Sequence, residues 1–134
     1  MHDSAPVTTP LVPGATKNLT LPPSEDEKIA DPNIPYREAI GCLMYLAVCT
    51  RPDLSFTVSL LSRYASNYTW KHWPAVLRVL RYIRGTSIYG LRIGGTQSEE
   101  LRLIGYADAD FANDESTRKS QTGYLYQLGG STIS

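Results

Sequence analysis

A chain of 134 residues with 42% apolar content has room for one modest domain, or for pieces of two adjoining ones, and is expected to bury a core. No apolar run approaches the roughly 18 residues of a membrane span and no signal peptide is visible, which predicts a soluble, intracellular protein, cytoplasmic or nuclear and not secreted, with no membrane partner. The 13 basic and 13 acidic residues cancel overall but not locally: no acid lies between Asp53 and Glu99, while Arg63, Lys71, Arg78, Arg81, Arg84 and Arg92 fall inside that interval.

Met1 to Pro35 contains Pro6, Pro10, Pro13, Pro22, Pro23, Pro32 and Pro35, with an acidic patch at Ser24 to Glu27. Proline at that density removes backbone donors and blocks helix, which predicts an extended lead-in, either a flexible tail or a strap across a neighbouring domain. From Tyr36 the pattern becomes helical, with Ile40, Leu43, Met44, Ala47 and Val48 recurring at one-turn spacing. Cys42, Leu46 and Cys49 widen that stripe and predict a helix buried on more than one side. The two cysteines lie seven apart with no histidine cluster nearby, so they fit neither a zinc site nor a disulfide framework and read as buried thiols.

Thr50-Arg51-Pro52-Asp53 predicts a helix start, with Thr50 as cap, Asp53 returning the capping bond and Pro52 in the first turn. The helix that follows carries Leu54, Val58, Leu61 and Ala65 on one face and is expected to end near Ser66 and Asn67. A third helix begins between Lys71 and Pro74 and runs to Arg84, with Gly85 placed as its C-terminal cap. Its apolar stripe is Trp73, Val76, Leu77, Leu80 and Ile83; Lys71, Arg78 and Arg81 lie on the opposite side, with Arg84 nearer the edge. A basic face is commonly only a solvated one. Here no acid in the interval offers an i, i+4 partner, so a phosphate-binding interface stands beside that reading.

Beyond Gly85 the period shifts to two. Ser87 to Ile93 reads as a short strand ending at Gly94-Gly95, Leu101 to Asp108 as a second, and Gln121 to Leu128 as a third, with Gly129-Gly130 turning into a fourth from Ser131. A chain that stops within a strand leaves a ladder uncovered, which predicts a fragment. The stretch Gly105 to Asp114, GYADADFAND, places Asp108 and Asp110 at i and i+2, on one face of the strand. Such a pair can hold a divalent cation, and equally can make a solvated turn after a strand.

Four blocks in order, PYREAIGCLMYLAVCTRPD, LLSRYASN, KHWPAVLRVLRYIRGTSIYGL and GYADADFANDESTRKSQTGYLYQLGG, resemble the Pol polyprotein of copia-type LTR retrotransposons, and the lead-in MHDSAPVTTPLVPG is similar to the family's passage from palm to thumb. The resemblance implies an α+β arrangement: residues 1–35 an extended lead-in, 36–95 a three-helix thumb or connection segment of a reverse transcriptase, and 96–134 the first antiparallel strands of a ribonuclease H-like sheet, truncated. It implies that Asp108 is the first ribonuclease H carboxylate and a magnesium ligand, that Asp110 supports it, and that Lys71, Arg78, Arg81 and Arg84 grip template and primer or an RNA:DNA hybrid. The polymerase aspartates and the other ribonuclease H acids have no counterpart here, so the chain by itself is expected to catalyse neither reaction and to hold no metal stably. The alternative is a non-catalytic basic helical module that binds nucleic acid.

Overall fold

Pro6, Pro10 and Pro13 keep the first residues out of regular secondary structure, and helix begins only past Gly14, whose φ of 77° turns the chain. The computed structural model describes residues 4–20, 31, 33–91, 93–94, 101–112 and 118–133. Helix α1 (Ala15–Thr20) corrects the expectation of a helix-free lead-in. That run contains no proline, and the Thr20 hydroxyl donates to Thr16 O at 3.0 Å to close the turn. The acidic patch at Ser24 to Glu27 lies outside the described residues.

The chain divides into two compact units, Met1–Gly90 and Leu91–Ser134. The first is helical. Helix α2 (Tyr36–Cys49) buries Tyr36, Ile40, Leu43 and Ala47, residues spaced to fall on one line. Val48 is 83% exposed and Met44, Cys42 and Cys49 are exposed as well, so the expectations of a helix buried on more than one side and of buried thiols are both corrected. The reason is angular: Cys42 stands about 200° around the helix from Ile40, away from the side on which α3 and α4 pack.

A short 3₁₀ turn at Pro52–Leu54 leads into α3 (Ser55–Ser62). Pro52 occupies its first position as expected, but the cap residue is Arg51 and makes no side-chain capping bond; Thr50 is exposed. Asp53 is not free to cap because Arg51 takes both of its oxygens. Helix α3 buries Thr57, Val58, Leu60 and Leu61 and stops at Ser62, short of the expected Ser66. The Ser62 hydroxyl donates back to Ser59 O at 2.8 Å, and the chain continues in three-residue turns, Tyr64 N–H to Leu61 O and Asn67 N–H to Tyr64 O.

Helix α4 (His72–Gly85) buries His72, Val76, Val79 and Tyr82. Trp73, Leu77, Leu80 and Ile83, part of the expected stripe, are only half-buried, so the buried line is rotated toward Val79. Gly85 is the last helical residue and not the cap; Thr86 takes that place. Two polar ties close the core. The buried Tyr36 ring stacks on Tyr68 with centroids 4.5 Å apart, and its hydroxyl donates to Leu61 O at 2.9 Å. Thr69 N–H donates to His72 Nδ1 at 2.9 Å, which leaves the His72 Nε2–H to donate to Leu19 O at 3.3 Å and so fastens α1 to α4.

The second unit is an antiparallel sheet in the order β1 (Leu103–Asp110), β2 (Gln121–Leu128), β3 (Ser131–Thr132). Gly129 and Gly130, with φ of 53° and 76°, form the two-residue turn between β2 and β3, a conformation that both residues need and that glycine adopts without strain. Ser87 to Ile93, expected as a strand, is turn and irregular chain at its described residues, with Tyr89 N–H closing on Thr86 O at 2.9 Å; Arg92 lies outside the described residues. Among the described residues no helix is long and apolar enough to cross a membrane.

Candidate functional site

Asp108 and Asp110 belong to β1, where they pair with Gly123 and Gln121 of β2. Strand alternation puts both carboxylates on one face with Ile104 and Tyr106. All eight residues of β1 are exposed, so the pair faces solvent. Gly123 opposite Asp108 carries no side chain, and even a β-carbon there would stand 3.8 Å from Asp108 Cβ, which leaves the carboxylate room on its cross-strand side. Among the described residues no group of three or more acids, histidines or cysteines comes together to hold a metal ion. Two carboxylates at this spacing are oxygen donors of the kind magnesium takes, and alone they would supply only part of its shell.

The basic face lies on α4, and the lead-in crosses it. Arg78 Nη2 donates to Thr9 Oγ1 at 2.9 Å, Arg81 Nε to Ala5 O at 2.7 Å, and Arg84 Nη1 to Ser4 O at 2.8 Å. Residues 4–9 therefore form a strap within the helical unit. Spacing of i, i+3 and i+6 sets the three arginines along about 9 Å of the helix, opposite the buried line of Val76 and Val79. The acceptors the strap offers in these three bonds, two carbonyls and a hydroxyl, are uncharged. Arg78 and Arg81 are half-buried and Arg84 is exposed; Lys71, at the helix N-terminus, is half-buried. Gly85 has the role that capping does not explain: a β-carbon there would meet Pro6 Cβ at 2.9 Å, so the strap passes because the helix has no side chain at that point.

Arg51 has a role that the helix-start reading of Thr50 to Asp53 leaves out. It is 5% exposed and bonds to Asp53 through Nε at 2.9 Å and Nη2 at 2.8 Å, to Thr86 O at 3.1 Å and to Thr86 Oγ1 at 2.7 Å. Tyr82 donates its hydroxyl to Asp53 at 2.9 Å, and the Tyr82 and Tyr89 rings flank the guanidinium. Hydrogen bonds from Arg51 hold the Asp53 carboxyl below the usual carboxylate range, and burial together with Asp53 pushes the Tyr82 hydroxyl up. This knot fastens the start of α3 to the end of α4. The signal that marks it in sequence is Arg-Pro-Asp, where a rigid proline fixes two opposite charges within bidentate reach.

No family model matches the chain, and no solved structure matches it. It is 42% identical over its full length to the retrovirus-related Pol polyprotein from transposon TNT 1-94 of Nicotiana tabacum, of which it covers 10%. It is 41% identical, again over its full length, to the retrovirus-related Pol polyprotein from transposon RE2 of Arabidopsis thaliana, of which it covers 9%. Over 102 residues, 76% of the chain, it is 47% identical to the secreted RxLR effector protein 161 of Plasmopara viticola, of which it covers 70%. The chain thus spans about a tenth of the length of the two Pol polyproteins.

Proposed function

The chain belongs to the Pol polyproteins of copia-type retrotransposons, and from that premise we propose that its helical unit grips the backbone of a template–primer or RNA:DNA hybrid while its sheet carries the first carboxylate of a ribonuclease H site. One observation carries the reading: Arg78, Arg81 and Arg84 stand in a row on α4, each bonded to the strap, and the acceptors on Arg78 and Arg81 are uncharged. Guanidinium groups so placed meet successive phosphates, setting register and affinity without reading sequence. Lys71, on the same helix, adds a further positive charge.

Asp108 takes the part of the metal-holding carboxylate, and Asp110 on the same face supports it. Asp108 and Asp110 would hold magnesium only together with further acids, and the metal would there supply activation of a water and stabilisation of the leaving oxygen on the RNA strand. Asp108 and Asp110 are two donors, and the further acids such a site needs are not beside them among the described residues. In this reading DNA synthesis and hybrid cleavage belong to a longer polyprotein, to which this stretch contributes grip and one acid. A second reading, a non-catalytic basic module, is favoured by the way the helical unit closes its own core around Leu43, Leu54, Leu61 and Val76 with the arginine row wholly inside that unit.

Fluorescence anisotropy with a labelled RNA:DNA hybrid across a salt series tests the grip. The intact chain is expected to bind with an affinity that falls steeply as salt rises. Arg78→Ala with Arg81→Ala is expected to weaken binding and flatten the log–log salt slope by about 2, near 0.9 for each phosphate no longer neutralised. An unchanged slope in that double variant would refute the assignment.

A further inference from the structure

We infer that the strap, residues 4–9, is a working part of the nucleic-acid interface: it presets the three arginine side chains of α4 for phosphate binding. The inference rests on the grip proposed for that helix. Its basis is the supply of donors. An arginine has five N–H groups in a rigid fork, and on Arg78 and Arg81 the strap takes up one of them while adding no negative charge of its own; it also bonds Arg84. Neutral acceptors of this kind compete poorly with phosphate, whose charge-assisted bonds are about twice as strong, so the strap is a weak rival and an effective guide.

What the strap supplies is order. A long basic side chain loses rotamer freedom when it binds, and three held in position beforehand lose less, which raises affinity without any new bond to the ligand. The strap is itself fixed within this run and just beyond it. Val7 and Leu11 pack against the helical core, and Pro6 lies against Gly85 where the helix carries no side chain. Around the helix, Gly85 falls between Arg78 and Arg81, so the bare point and the arginine row make one surface. Arg78 Nε is enclosed and has no hydrogen-bond partner among the described residues, so packing as well as the strap fixes that guanidinium.

Gly85→Ala separates orientation from charge. The added methyl meets Pro6 Cβ at 2.9 Å, and a proline ring has no rotamer into which to retreat, so the strap must lift. All arginines remain, and alanine favours the helix more than glycine does. In the hybrid-binding assay, Gly85→Ala is expected to lose about tenfold in affinity with its salt slope unchanged, because the same phosphates are still neutralised. Thr9→Val, which keeps the shape and removes only the acceptor for Arg78, is expected to lose about two- to threefold, again at unchanged slope, and decides the matter if Gly85→Ala does not fold. Unchanged affinity would overturn the inference, and so would tighter binding, which would make the strap a cover over the arginines. Absence of salt-dependent binding by the unaltered chain would overturn the grip itself, an outcome distinct from either.

Discussion

At the residue scale the Arg51–Asp53 pair is costly to break, because Arg51 is buried and Asp53 supplies the negative charge that meets it. Asp53→Asn keeps the shape but removes the charge, leaving a buried guanidinium supported chiefly by Thr86. The expected loss is about 1–3 kcal/mol in urea unfolding, the range for a buried donor deprived of its partner, tempered by the partial exposure of Asp53. The pH dependence has a definite sign. Asp53 is harder to protonate in the folded chain than in the unfolded one, so its contribution is complete above the ordinary value of 3.8 and is lost as pH falls through the lowered folded value. The stability gap between the natural chain and Asp53→Asn should therefore narrow on acidification, and a gap that stays constant would deny Asp53 this role.

At the element scale α2 differs most from its pattern. Its apolar residues run around more of the helix than its neighbours cover, because α3 and α4 both pack on the line of Ile40, Leu43 and Ala47. Cys42 and Cys49 are left outward, about 10 Å apart along the helix and too far for a disulfide within it. Both are expected to react with a thiol reagent in the native chain at nearly the rate seen in denaturant, and protection of either would show that α2 is covered. The existence of α2, α3 and α4 was legible from period and from proline and glycine placement. Which apolar residues they bury was not, since periodicity defines a face and packing selects the part of it that meets a neighbour.

At the scale of the whole molecule each unit contributes a different kind of group: the helical unit a row of cations, the sheet two carboxylates on one open face. Two carboxylates fix the spacing of two metal ions poorly, because each ion needs several anionic ligands. The purified chain with magnesium and an RNA:DNA hybrid is therefore expected to show no cleavage on a denaturing gel. Cleavage that Asp108→Asn abolishes would show that Asp108 assembles a working site within this chain.

Sequence alone determined the α+β order, the three long helices, the strands around Asp108 and the membership in the Pol polyproteins, because periodicity, proline and glycine placement, and motif order are local properties of the chain. Tertiary structure decided the rest. It turned the lead-in into a strap, gave Gly85 the task of letting that strap pass, bound Asp53 to Arg51 in place of a helix cap, and left the cysteines of α2 in solvent. Most of these depend on residues far apart in sequence, up to the 80 positions that separate Ser4 from Arg84, and no spacing rule reaches across such a distance.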